Sequence, residues 1–97
     1  MSVTVKIPTQ LRRVTGGQRE VRVEASTVSE LIAQLDQQYP GMRERLCGED
    51  GQLRPFLNVY VRGEDIRFRD GVNTALEAGD DVSIIPAVSG GAPGQVL

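Results

Sequence analysis

Residues 2–7 alternate strictly, with Val3, Val5 and Ile7 on one side and Ser2, Thr4 and Lys6 on the other. That period of two predicts a half-buried strand. Pro8 has no N–H to donate and predicts where pairing stops. Thr-Gly-Gly-Gln at 15–18 is turn chemistry, and a second alternating run carries Val21, Val23 and Ala25 on one face. Together the two runs predict an N-terminal hairpin. The period then changes: Val28, Leu31, Ile32, Leu35 and Tyr39 recur at helical spacing and form one apolar stripe. Thr27 and Glu30 fit a capping box, in which hydroxyl and carboxylate each satisfy a free N–H of the first turn. Pro40–Gly41 predicts the stop, Met42 and Leu46 support one more helical turn through Cys47, and residues 48–52 read as loop.

A third strand is predicted over 55–61, with Leu57, Val59 and Val61 on one side and Phe56, Asn58 and Tyr60 on the other. Residues 62–65 predict a turn, Ile66-Arg-Phe68 a short fourth strand, and 75–81 a tight connection. The last strand follows over 82–88, with Val82, Ile84 and Val88 on one face and Ser83, Ile85 and Ala87 on the other. One amphipathic helix covers one face of such a sheet, which makes a two-layer α+β domain. A hairpin, a helix crossing the sheet and later strands beside it describe a β-grasp roll: a mixed four- to five-stranded sheet packed on one main helix. We expect residues 1–89 to form this domain and 90–97 a flexible C-terminal tail.

Composition removes several chemistries. The chain has no histidine, so a Ser-His-Asp triad, a Cys-His pair and a histidine-bearing metal site are all excluded. Its one cysteine, Cys47, allows neither an internal disulfide nor a CxxC motif, and on an apolar helical segment it reads as a core filler. A net charge of −2 gives no reason to expect nucleic acid. The pairs Arg12–Arg13 and Arg67, Arg69 are too scattered for a binding stripe and read as solvated surface. Glu64, Asp65, Asp80 and Asp81 fall in predicted turns, where carboxylates serve local hydrogen bonds, and hard-cation sites need more converging oxygens. The N-terminus lacks the features of a signal peptide, and no run reaches membrane-spanning length. The expectation is a cytoplasmic protein without metal, bound cofactor or membrane contact.

The ending is the unusual part. Gly90–Gly91 follows the last strand with only Val88 and Ser89 after Ala87. A glycine pair alone means little, since Gly16–Gly17 is an ordinary turn. Here, however, Val88, Ser89, Gly90 and Gly91 would project as a finger spanning at most about 14 Å. Glycine lacks a side chain, so this backbone could thread a narrow channel in another enzyme's active site. Docking that enzyme would need an exposed, partly apolar patch at the finger's base. Phe56, Tyr60, Ile85 and Ala87 are the candidates, on the sheet face away from the helix; packing beneath the 41–55 loop is the competing reading.

The segment LEAGDDVSIIPAVSGG, residues 76–91, resembles the ending of the ThiS/MoaD family of sulfur carriers, small ubiquitin-like β-grasp proteins. The resemblance continues through IPTQLRRVTGG at 7–17, LIAQLDQQYPGMRERL at 31–46 and FLNVYVRGEDIRF at 56–68. These segments are more similar to the branch that serves cysteine biosynthesis. The resemblance implies that a ubiquitin-activating-type enzyme uses ATP to adenylate the Gly91 carboxylate, and that a sulfur donor then displaces AMP to leave a thiocarboxylate. It further implies a sulfur-accepting synthase as the next partner, and a chain that is a carrier and co-substrate, not a catalyst. Mature carriers of the family end at the second glycine, whereas Ala92–Leu97 follows Gly91 here. That departure implies a removable pro-segment, cut between Gly91 and Ala92, for which a JAMM-type metallopeptidase is the natural agent. The sulfur's destination stays open between cysteine and a secondary metabolite. Two other classes also stand: a ubiquitin-like modifier conjugated to lysines, and a non-covalent β-grasp binding module. With Lys6 as its single lysine, the chain offers little for self-conjugation.

Overall fold

The computed structural model describes residues 1–86. Strand β1 (Ser2–Lys6) pairs antiparallel with β2 (Glu20–Glu24), matching Val3 to Val23 and Val5 to Val21. Helix α1 (Val28–Gln38) and the short α2 (Met42–Leu46) follow, then β3 (Leu57–Val61), β4 (Glu64–Asp65) and β5 (Asp81–Pro86). The sheet order is β2-β1-β5-β3-β4. The C-terminal strand therefore lies at the centre, parallel to β1 and antiparallel to β3. This is the ubiquitin-like β-grasp arrangement, a five-stranded mixed sheet with one main helix.

Register decides which side chains meet. Val21, Val5, Val82 and Val61 stand in one row across four strands, and Ile84 stands opposite Val59. Val28, Leu31, Ile32 and Leu35 of α1 are buried in the same core. Met42, Leu46 and Cys47 extend that core beneath α2. Burial pushes the Cys47 thiol up from its ordinary value, with Arg43 and Arg54 opposing more weakly. The cysteine is an inert filler, as its apolar setting implied.

Two local readings need correction. At the start of α1, Thr27 Oγ1 accepts the Glu30 N–H at 3.1 Å, as a capping box requires. The Glu30 carboxylate, however, accepts from the N–H of Ser26 at 2.6 Å and from its hydroxyl at 3.0 Å, not from Thr27. These bonds, the main-chain one foremost, hold the Glu30 carboxyl below its ordinary value of 4.5. Thr27→Ala is expected to cost about 1 kcal/mol in urea unfolding. Glu30→Gln should destabilise at neutral pH. A carboxyl whose folded value is depressed contributes fully above its unfolded value and loses that contribution as pH falls through the folded one. The Glu30→Gln difference should therefore vanish in acid, while the Thr27→Ala cost persists.

The second correction concerns residues 62–68. Ile66–Phe68 is a 3-10 turn, not a strand, and the fourth strand is Glu64–Asp65. Arg62 and Gly63 both have positive φ, 53° and 79°, which gives a two-residue hairpin loop returning the chain at once onto Val61 and Tyr60. Asp65 then accepts the Arg67 N–H at 2.9 Å and starts the 3-10 turn. Arg62 is held in its left-handed conformation by an ion pair with the buried Asp80, which also accepts the Glu77 N–H at 2.7 Å. The Arg62–Asp80 bond raises the Arg62 guanidinium above its ordinary value.

Candidate functional site at the exit of the central strand

The chain leaves the described fold at Pro86, the last residue of the central strand. Proline inside a sheet usually forfeits a ladder bond. Here its partner does not ask for one. Leu57, opposite Pro86, donates its N–H to the Arg54 carbonyl at 3.0 Å, and its own carbonyl accepts from the Arg67 guanidinium at 2.5 Å. Both backbone groups of Leu57 thus point away from β5. On the other flank β1 has already ended, at Lys6 beside Ser83, and Pro8 follows. The two prolines carry β5 past its neighbour without leaving an unmatched donor.

Arg67 is one residue whose role sequence reasoning missed. Taken as solvated surface, it is instead a clasp: one guanidinium nitrogen donates to the Asn58 side-chain oxygen at 2.6 Å, the other to the carbonyls of Arg54 at 3.0 Å and Leu57. It fixes the turn entering β3 beside the exit of β5. The planar fork of arginine suits several acceptors at once, and no sequence period signals such a role. Arg67→Ala is expected to lower stability by about 1–2 kcal/mol. Lysine should recover little of this, as guanidinium chloride or thermal melts would show.

The open sheet face is mostly polar. One row runs Glu20, Lys6, Ser83, Tyr60, Asp65, and another contains Arg22, Thr4 and Asp81. Only its exit end is apolar: Ile85, opposite Asn58, is 46% exposed, and Phe56, in the turn before β3, is 52% exposed. Neither lies beneath the 41–55 loop, so that competing reading falls for these two. Tyr60 is half-buried one row further in. Phe68, 82% exposed on the 3-10 turn, was not anticipated; a lone aromatic in an unperiodic segment gives no signal. Ala87, Val88, Ser89, Gly90, Gly91 and Ala92 lie outside the described residues.

Three of the four acids take individual partners. Glu64 pairs with Arg69 at 2.6 Å, Asp65 caps its turn, Asp80 holds Arg62, and Asp81 is exposed at the start of β5. Among the described residues no three His, Cys, Asp or Glu side chains converge as metal ligands, and no helix is long and apolar enough to cross a membrane.

Comparison with known proteins agrees with this fold. The chain is 47% identical to the sulfur carrier protein CysO of Mycobacterium tuberculosis over 93 residues, covering 94% of this chain and all of that protein. Its fold superposes on the crystal structure of the Amycolatopsis orientalis BexX/CysO complex with a TM-score of 0.87 and 44% identity, covering 92% of this chain and 99% of that one. The crystal structure of SAMP1, a small archaeal modifier protein of Haloferax volcanii, follows at 0.78 and 33% identity, over 94% of this chain and 100% of that one. The ThiS family profile matches residues 5–91. The chain therefore belongs to the ThiS family.

Proposed function

We propose that the protein is a sulfur carrier whose working group is the Gly91 carboxylate, exposed once Ala92–Leu97 is removed. The observation that carries this reading is where the family match ends. It runs from residue 5 to Gly91 and leaves out the six residues that follow. An activating enzyme would transfer AMP from ATP to the Gly91 carboxylate and release pyrophosphate. A sulfide-level donor would then displace AMP, placing sulfur where one carboxylate oxygen stood. Sulfur is the softer nucleophile, so the thiocarboxylate can attack an electrophilic acceptor on a synthase, in cysteine or secondary-metabolite formation. The chain itself supplies a handle and a docking face, not a catalytic group.

The apolar end of the sheet face fits the docking step. Phe56 and Ile85 sit beside the exit of β5, where a partner gripping residues 87–91 would meet them. Ile85→Glu is the informative variant, because Ile85 is half exposed and a charge there costs the core little. It should leave the circular dichroism spectrum unchanged and slow adenylation of a chain ending at Gly91 by at least about tenfold. Normal adenylation of the folded variant would remove Ile85 from the interface. Tyr60→Glu tests the inner edge in the same way.

The small archaeal modifier relatives favour a second reading, in which the same terminus forms an isopeptide with a target lysine. Immunoblots of the native cell separate the two: a modifier gives a ladder of larger conjugates, a carrier gives the free chain.

A further inference from the structure

A cleft at the tail's end of the domain is lined by Gln10, Arg13 and Val14 from the β1–β2 connection and by Pro40 and Arg45 from the corner between the helices. Its volume is about 490 Å³, and among the described residues no carboxylate lines it. Among the described residues Arg62, Arg67 and Arg69 have carboxylates within 4.0 Å, and Arg12 and Arg54 donate to main-chain carbonyls. Arg13 and Arg45 have neither kind of partner there, a state shared with Arg19, Arg22 and Arg43, but only this pair lines one cleft together. Carboxylates are not scarce, with 13 acidic residues against 11 basic, yet among the described residues none pairs with Arg13 or Arg45 within 4.0 Å. A guanidinium presents a fork of donors that matches a carboxylate, and Gln10 adds a neutral amide to the same wall. Val14 and Pro40 supply apolar surface for the stem of an acidic side chain.

The position of the cleft gives it a use. Its first wall begins directly after β1, and β1 runs parallel to β5, so the cleft and Pro86 lie at the same end of the sheet. We propose that this cleft receives an Asp or Glu side chain from the protein partner that grips the C-terminal finger. In equating that partner with the activating enzyme the proposal rests on the reading above; the cleft's preference for a carboxylate-bearing peptide does not. Two cations at this pole also steer an acidic partner onto the correct end of the carrier, an effect that weakens as salt is added.

The test uses the full-length chain labelled with nitrogen-15 and titrated at low ionic strength with N-acetylated hexaglutamate. A parallel titration uses inorganic phosphate. We expect saturable amide shifts confined to the neighbourhood of Gln10, Arg13, Val14 and Arg45. In Arg13→Gln/Arg45→Gln the apparent affinity should fall about tenfold. Arg22→Gln, on the open sheet face, should leave it unchanged. Both cleft arginines are exposed, so the double variant should keep its dispersed spectrum, and each single variant should show part of the loss. Shifts spread over all the arginines, an affinity indifferent to the double substitution, or phosphate reproducing the same saturable shifts would each overturn the proposal. The titration needs no activating enzyme, so its failure and a failure of the carrier reading are separately visible.

Discussion

A chain cut to end at Gly91 is expected to support ATP–pyrophosphate exchange by its activating enzyme, and the full-length chain none. The reason is chemical. Adenylation needs a carboxylate oxygen as nucleophile, and in the full chain the Gly91 carbonyl is tied in an amide to Ala92. Any C-terminal carboxylate then lies at least six residues further on, behind side chains that a glycine-sized channel would exclude. Chains ending at Gly90 or at Ala92 should fail as well, the first by reach and the second by its added methyl group. Gly91→Ala in the trimmed chain separates steric exclusion from the need for a free carboxylate. Exchange by the full-length chain, with its tail shown intact by mass, would contradict the pro-segment.

The largest structural effect should come from Leu35→Ala. Leu35 is 0% exposed on the face of α1 that covers the sheet, among Val5, Val59, Val82 and their neighbours. Removing its isobutyl group takes away transfer energy and leaves a cavity that a small two-layer core cannot close. The cost is about 3 kcal/mol. For a domain of this size that lowers Tm by about 12–24 °C, a large part of its whole margin. Ser83→Ala, on the open face of the same sheet, should change Tm by little. A Leu35→Ala chain melting like the parent would mean that α1 does not seal this core.

The fold was legible because its elements have clean periods. Alternation through Val3, Val5, Val21 and Val23 and the stripe through Val28, Leu31 and Leu35 each answer to one buried face. What escaped was short or depended on side chains reaching across the chain. Three residues, Ile66–Phe68, are too few to show a period, and a two-residue loop with a left-handed Arg62 rests on the distant Asp80. The Arg67 clasp joins residues separated by nine to thirteen positions, which no local pattern encodes. The reach of Glu30 to Ser26 needed only one more residue than the usual box. For the candidate site, the exposure of Phe56 and Ile85 followed from strand parity. Phe68 and the two-arginine cleft needed the chain folded.

The most direct measurement is the intact mass of the protein purified from its own organism, under sulfur-replete and sulfur-starved growth. A species ending at Gly91 is expected, part of it with sulfur in place of one carboxylate oxygen. A chain that keeps Ala92–Leu97 under both conditions would contradict the carrier reading and leave a β-grasp binding module in its place.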